Sequence, residues 1–320
     1  MQKRNIDMYI VPTSDFHESE YVGDYFKARK YITGFTGSAG TAVFTKDAAG
    51  LWADGRYFIQ AEQQLAGSPI TLYRMGEEGV PTVKEYVEQN LKEGGCLGFD
   101  GRVINAKAGE DYEKIAADKQ GSVYAEEDLV GLIWENRPEL PKNPVFVLEE
   151  KYAGESTKSK LGRLREKMAE KETGVHILTS LYDIAWLFNI RGGDISHVPV
   201  VLSFAAITEK ECFWFVHEET LSPGLLEYCK ENQITIRPYG EIYQYAAGLP
   251  EHASVLLDKN IVNYRIFRSL PPKAAVVQEE NPTELMKAIK NETELSNIRN
   301  AHIKDGVAFT KFMYWLKNNI

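Results

Sequence analysis

The sequence predicts an α/β protein with two similar domains followed by a long helix. First, 320 residues exceed what one hydrophobic core usually organises. Second, strand and helix patterns occur twice in the same order, separated by a proline-rich linker over 137–144. Third, a long amphipathic pattern follows the second copy. Short apolar hairpins mixed with helices favour a mixed β-sheet flanked by helices in each domain.

The first copy opens with a β-branched and aromatic strand over 7–11 that a proline stops. A hairpin, three amphipathic helices and a buried strand complete it. The hairpin strands are predicted over 41–45 and 50–53, the helices over 57–65, 83–91 and 106–117, and the buried strand over 96–100.

The second copy begins after the linker with a helix whose apolar residues share one face. A strand, a glycine turn, a second hairpin, a helix and a final strand follow it. These elements are predicted over 157–170 (helix), 175–180 (strand), 191–194 (glycine turn), 198–207 and 211–216 (hairpin), 221–232 (helix) and 254–260 (final strand).

Four residues of the first copy match four of the second at one constant offset, which predicts a duplicated domain. They are Asp100, Val103, Ile104 and Asn105 against Asp258, Ile261, Val262 and Asn263. We therefore expect domain I over 1–138, domain II over 139–283 and a third segment over 284–320. That segment runs to Ile320 without a cap or a partner element, so we expect it to be the first helix of a truncated third domain.

Composition excludes several classes of function. The net charge of −9 argues against a nucleic-acid or anionic-membrane partner. Three scattered cysteines without a C-x-x-C pair indicate a reducing compartment. The first residues lack the features of a signal peptide, and no apolar run approaches the roughly 18 residues of a membrane span. We expect a cytoplasmic protein that binds neither nucleic acid nor membrane.

The richest polar cluster lies in TSDFHESEY (13–21) and consists of Asp15, His17, Glu18, Glu20 and Tyr21. Imidazole and carboxylate groups suit zinc or manganese. However, the cluster lacks a full ligand set, and no H-x-x-x-H or C-x-x-C supplies the remainder. The pattern favours a hydrogen-bonded turn over a metal site.

The run GFTGSAGT (34–41) has two readings. Its glycines could cradle a phosphate with backbone N–H groups, but no Gly-Lys-Ser/Thr follows, and Thr36 stands where a nucleophile elbow needs glycine. The favoured interpretation is a tight connection whose glycines have positive φ.

A third candidate is LWADGRY (51–57). Asp54 is a plausible N-cap of the next helix, and Arg56 would then oppose the helix dipole. A carboxylate partner could hold Arg56, or Arg56 could be reserved for an anionic ligand, and the pattern favours the partner. The six histidines are scattered, so spacing identifies no catalytic set.

These motifs resemble a known family. The runs YIVPTSDFHESEY, YITGFTGSAGTAVFT and LWADGRYFIQAEQQL resemble the first domain of the Xaa-Pro aminopeptidases (aminopeptidase P), of the creatinase/prolidase type. SLYDIAWLFNIRGGDISHVPVVLSFAAI resembles the second domain of that family. KNETELSNIRNAHIKDGVAFTKFMYWL resembles the first helix of its pita-bread catalytic domain.

The resemblance implies a full-length metallo-aminopeptidase that removes an N-terminal residue preceding proline. Its dinuclear centre, typically manganese, would be held by residues beyond Ile320. This chain would therefore have no catalytic residue, no metal ligand and no activity of its own. Its two domains would be creatinase/prolidase N-terminal-type copies that serve homo-oligomer assembly and gate the active site.

The candidates for a gate or an interface are His17, Tyr21, Asp54 and Arg56. Two alternatives stay open. One is a stand-alone module that binds a peptide terminus or an anion, and the other is part of a prolidase-type dipeptidase. The duplication speaks against the second, because prolidases commonly carry one N-terminal domain.

Overall fold

A computed structural model describes all residues from 1 to 320 and contains two six-stranded mixed sheets. The strands of the first sheet are β1 (Met8–Pro12), β2 (Thr41–Thr45), β3 (Ala49–Ala53), β4 (Ile70–Arg74), β5 (Cys96–Phe99) and β6 (Ser122–Tyr124). Its helices are α1 (Ala28–Thr33), α2 (Phe58–Leu65), α3 (Val83–Asn90) and α4 (Ala106–Asp118).

The second half holds the other large sheet and a two-stranded sheet of β7 and β9. Its strands are β7 (Phe146–Val147), β8 (Val175–Leu178), β9 (Ile190–Arg191), β10 (Ser203–Thr208), β11 (Cys212–Val216), β12 (Thr235–Pro238), β13 (Ser254–Leu257) and β14 (Ala275–Gln278). Its helices are α5 (Glu150–Ala153), α6 (Thr157–Glu170), α7 (Leu181–Leu187), α8 (Pro223–Glu231), α9 (Ile242–Ala247) and α10 (Tyr264–Ser269).

The two large sheets have the same topology. Their strand orders are β4-β3-β2-β1-β5-β6 and β12-β11-β10-β8-β13-β14. In each sheet the first strand pairs antiparallel with the hairpin and parallel with the strand on its other side. The predicted α/β class, the mixed sheets and the duplication are therefore confirmed.

One predicted strand is too long. The hairpin strand expected over 198–207 begins only at Ser203. Before it, the chain forms a loop in which the Asp194 carboxylate accepts the N–H of Leu202 at 2.8 Å. Pro199 also lacks the N–H that a ladder position needs. Burial of Val200, Val201 and Leu202 in this loop explains why their apolarity resembled a strand.

The two halves share their cores. Phe16 and Phe26 of the first half lie in the same buried cluster as Phe204 and Tyr239 of the second. In the opposite direction, Tyr264 packs among the core residues of the first half. Because this shared surface is apolar and buried, the hydrophobic effect stabilises the junction between the halves.

Around Asn105 and Asn263 the junction is reciprocal. The N–H of Ala106 donates to Val262 O, and the N–H of Tyr264 donates to Ile104 O, each at 2.8 Å. Each asparagine also caps the helix that follows it, accepting a backbone N–H at the third residue beyond. The matched residues therefore lie where the two copies meet, around a local two-fold axis.

The C-terminal segment forms two helices, α11 (Pro282–Ala288) and α12 (Glu292–Asn319). Helix α11 packs on the second half, with Thr283 and Met286 buried and Lys287 donating to Asp183 at 2.6 Å. Helix α12 has no buried residue. Residues 284–288 thus pack against α6 and α7 of the second half, and the long helix begins at Glu292. Neither α12 nor any other helix has the length and apolarity needed to cross a membrane.

Candidate functional site

The polar loop after β1 is a hydrogen-bonded turn, as predicted. One oxygen of the buried Asp15 carboxylate accepts the backbone N–H of His17 at 2.9 Å and of Ser19 at 3.0 Å. Such a bond pattern fixes the loop in the way an Asx turn does. The structure contains no group of three or more His, Cys, Asp or Glu side chains that could hold a metal ion.

His17 lies at the junction of the two halves and is 1% exposed. Its Nδ1–H donates to Thr179 O at 3.0 Å, so the Tyr239 hydroxyl donates to Nε2 at 2.7 Å. Burial lowers the pKa of His17 to about 4, because the low-dielectric surroundings penalise the cation. Both ring nitrogens are therefore occupied by contacts within the chain, and the neutral ring ties the loop to the second half.

Tyr21 belongs to the same loop but has a different environment. Its side chain is 54% exposed and lines a cavity between the two halves together with Glu20. The loop therefore separates the predicted candidates: His17 faces the buried junction, whereas Tyr21 can reach a solute or another protein surface.

Asp54 and Arg56 lie in the turn between β3 and α2. The Arg56 guanidinium donates from Nε and Nη2 to the two Asp54 carboxylate oxygens at 2.8 and 2.9 Å, a side-on bidentate pair. The Arg56 side chain is 68% exposed and lies over the ring of Tyr57. Arg56 lowers the pKa of Asp54 to about 2 through this pairing. The carboxylate partner favoured by the sequence is thus the residue two positions earlier.

Two expectations about this turn are wrong. The N-cap of α2 is Tyr57 rather than Asp54, and the helix begins at Phe58. Asp54 instead accepts the N–H of Arg56 at 3.1 Å, which closes the turn before the helix. Arg56 therefore precedes the helix, and its position gives no evidence of a cation placed against the dipole.

A second Asp-Gly-Arg turn was missed by the sequence reasoning. Asp100 and Arg102 repeat the arrangement, with guanidinium-to-carboxylate distances of 3.0 and 2.9 Å. Here the side chains are 24% exposed for Arg102 and 8% for Asp100, and Arg102 lies over the ring of Phe16. The repeated tripeptide was the signal that could have identified this pair.

The glycine loop follows the favoured interpretation only in part. Gly34 and Gly40 have φ values of +74° and +149°, but the φ of Gly37 is not positive. Gly37 is required for space, because a Cβ there would lie 2.2 Å from Cζ of Phe35. Below the loop, the buried Arg29 donates to the carbonyl oxygens of Phe35 and Gly37. Arg29 was also missed, since carbonyl acceptors leave no trace in a sequence.

Comparison with known protein families identifies the class of both domains. Models described as "Creatinase/Prolidase N-terminal domain" match residues 1–128 and 136–294, one on each copy of the duplicated fold. The predicted boundaries at 138/139 and 283/284 stay a prediction.

Sequence identity with individual proteins then identifies the family within this class. A "Probable Xaa-Pro aminopeptidase P" of Podospora anserina is 36% identical over 100% of this chain and 49% of its own length. One from Talaromyces marneffei is 37% identical, with 100% and 50% covered. The chain belongs to the Xaa-Pro aminopeptidase P family. It spans about half the length of the curated relatives that it matches.

A solved structure agrees with the family. The X-prolyl aminopeptidase from Caenorhabditis elegans, described as a cytosolic enzyme with a di-nuclear active site, superposes with a TM-score of 0.92 at 31% identity. The match covers 98% of this chain and 52% of that one. In the chain described here, the donor groups do not fit a dinuclear metal centre, since no cluster of three ligand-type residues exists.

Proposed function

We propose that this chain is the non-catalytic N-terminal region of a cytoplasmic, metal-dependent Xaa-Pro aminopeptidase that removes an N-terminal residue preceding proline. The observation that carries the proposal is the identity with such relatives over the whole chain, while only half of each relative is matched. A dinuclear centre, of manganese in the family pattern, would belong to the part of the relatives that this chain does not match.

The two domains contribute an assembly surface and a gate for peptides. Helix α12 supports the assembly role, because Phe309, Phe312, Tyr314 and Trp315 are all exposed large hydrophobic side chains. Several exposed apolar side chains on one helix favour contact with other protein surface. A further domain of the same chain or a second subunit would bury it, and the second case makes the protein a homo-oligomer.

Arg56 and Tyr21 are the groups suited to the gate. Both are exposed, and the planar guanidinium of Arg56 can exchange Asp54 for the carboxylate of a peptide. The Asp54 carboxylate raises the pKa of Arg56, and Glu20 adds a smaller electrostatic contribution. His17 and Asp54 support these groups, one by fixing the loop and the other by orienting the guanidinium.

The test is Arg56→Ala in the full-length protein, with manganese supplied. We expect kcat/KM for an Xaa-Pro peptide to fall about tenfold, or subunit association to weaken by a similar factor, which corresponds to about 1.4 kcal/mol. Arg74→Ala is the matched control, because Arg74 is another exposed arginine of the same domain, paired with Glu62. Both variants should melt close to the parent.

Equal losses in the two variants, or no loss in Arg56→Ala, would show that Arg56 has no gating role. The chain 1–320 with manganese should release no residue from the same peptide. Turnover that survives repurification would contradict the assignment of this region as non-catalytic.

A further inference from the structure

A cavity of about 330 Å³ lies between the two halves, next to the gate residue Tyr21, and the function proposed above assigns it no ligand. The first half provides the loop after β1, the start of α1 and the glycine loop, and the second half provides the turn at Ile195, Ser196 and His197. The volume is at the small end of the range for ligand pockets. A ligand held there would contact both halves at once.

The inner wall carries a buried cation with no counter-ion. Arg29 is 3% exposed, and no carboxylate forms an ion pair with it. Its guanidinium donates to Thr13 Oγ1 at 2.9 Å, to Phe35 O at 2.6 Å and to Gly37 O. A guanidinium has five N–H groups, so two remain without an acceptor in the chain. Burial lowers the pKa of Arg29 to about 10, because the low-dielectric surroundings penalise the cation.

Other donors converge on the same space. Gly37 lines the cavity, and its backbone N–H donates no hydrogen bond within the chain. The Ser38 N–H points away from Arg29, because the Gly37 carbonyl in the same trans peptide group accepts from Arg29. Lys30 also lines it without an ion pair, whereas Lys27 is paired with Asp24. These groups present positive charge and free donors, which is the chemistry that holds an anion.

The remaining wall limits which anion fits. Val22, Phe26 and Ile195 are apolar lining residues, and the last two are buried. Glu20 contributes one negative charge at the lining and disfavours a multiply charged anion. A singly charged group attached to an apolar body satisfies both parts of the wall, whereas inorganic phosphate leaves the apolar part unfilled.

We propose that this cavity binds a small carboxylate with an apolar body, whose carboxylate lies on Arg29 and the N–H group of Gly37. The apolar body packs against Phe26 and Ile195. Either a free organic acid or the C-terminus of a peptide presents this chemistry. Because the ligand contacts both halves, its binding also stabilises the junction.

The test is isothermal titration calorimetry on the 320-residue chain with four probes: N-acetyl-leucine, its amide, the tripeptide Gly-Gly-Leu and inorganic phosphate. We expect N-acetyl-leucine to bind at least tenfold more tightly than the amide and than phosphate. Binding of the tripeptide as tight as that of the acid identifies a peptide C-terminus as the natural source, and weaker binding identifies a free acid.

Variants locate the site. Arg29→Lys keeps the positive charge but loses the planar pair of N–H donors that a guanidinium offers to a carboxylate, and we expect at least tenfold weaker binding. Ser196→Trp fills the cavity from the second half at an exposed position and should abolish binding without touching Arg29. Arg74→Gln, outside the cavity, should bind like the parent.

Four results would overturn the proposal: equal affinity for acid and amide, tighter binding of phosphate than of acid, parental affinity in Ser196→Trp, or no heat with the acid. Should Arg29→Lys fail to fold, Ser196→Trp decides alone. Since no peptide cleavage is measured, failure here leaves the aminopeptidase assignment untouched.

Discussion

Two turns of the molecule have the same tripeptide and different surroundings. In Asp54-Gly55-Arg56 and Asp100-Gly101-Arg102, the arginine folds back on the aspartate two residues earlier with nearly equal distances. The first turn is open to solvent, whereas the second stands at the junction with Arg102 over Phe16.

The difference shows that the tripeptide determines the local geometry, whereas burial determines how much the ion pair contributes to the free energy of unfolding. An exposed ion pair contributes little because water solvates the separated charges well. A buried carboxylate has lost its hydrating water on folding, and when its cationic partner is removed nothing compensates for that loss. The same motif therefore serves as a structural connection at Asp100 and leaves Arg56 available for contacts outside the chain.

The largest expected effect comes from breaking the buried turn. Arg102→Ala leaves Asp100 unpaired at the junction, and we expect the free energy of unfolding to fall by about 3 kcal/mol, the low end for a buried pair because Arg102 is partly exposed. Urea unfolding followed by circular dichroism measures it. A loss below about 1 kcal/mol would mean that burial does not distinguish the two turns.

The pH dependence of stability tests the junction where the buried turn lies. His17, the neighbour of Phe16, is the titratable group that reports on it. The pKa of His17 is about 4 in the folded chain against an ordinary value of 6.5, so the unfolded state binds more protons between these values. The stability contributed by His17 should therefore fall as the pH drops from about 6.5 to about 4, by at most roughly 2–3 kcal/mol. The adjacent Glu18, whose pKa is raised to about 7, acts in the opposite direction, so the effect of His17 is read from the difference between the parent and the variant.

The measurement is urea unfolding at a series of pH values for the parent and His17→Gln. Burial also lowers the pKa values of His176 and His217, which act in the same direction, so the variant should lose part of the slope rather than all of it. An unchanged slope would show that His17 is not the group that makes the junction sensitive to acid.

The smallest expected effect belongs to the exposed turn. Arg56→Ala should leave the urea midpoint of unfolding close to that of the parent, because water solvates the separated charges of an exposed pair. Yet the pKa of Asp54, about 2 in the parent, should return toward its ordinary value of 3.8. Because the folded pKa is depressed, the small contribution of Asp54 is present above 3.8 and disappears as the pH falls through about 2.

Carbon-13 NMR of the Asp54 carboxyl group follows this titration in both proteins. A pKa that stays near 2 in Arg56→Ala would mean that the turn itself, through its N–H groups, depresses it. Arg102→Ala and Arg56→Ala then form a matched pair, one arginine at each copy of the turn.

The regular elements could be predicted where periodicity and capping agree. The helix expected over 157–170 has those same bounds, because Ser156 caps it and one apolar stripe runs along its length. The strand over 198–207 was overestimated, since a buried loop and a buried strand have the same apolar composition. The hydrogen bond from the Leu202 N–H to Asp194 shows that this segment is a loop, and such a contact cannot be predicted from the residue types alone.

The site was less predictable because its contacts cross the chain. His17 is fixed by Thr179 and Tyr239, which belong to the other half. Arg29 is held by main-chain carbonyl groups, which every residue possesses and no pattern reveals. Asp54 was correctly associated with the turn. However, an aspartate at this position can either cap the following helix or close the turn before it, and the sequence does not distinguish these two roles. The start of the helix at Phe58 shows that Asp54 closes the turn.

The reciprocal bonds at Asn105 and Asn263 bear on how such a molecule arises. Identical domains that associate as an isologous pair place the same segment of each partner on both sides of the axis. The paired donations between Ala106, Val262, Tyr264 and Ile104 have that form within one chain. These paired bonds thus have the symmetry of a homodimer contact within one chain, and the linker at 137–144 makes that contact independent of protein concentration.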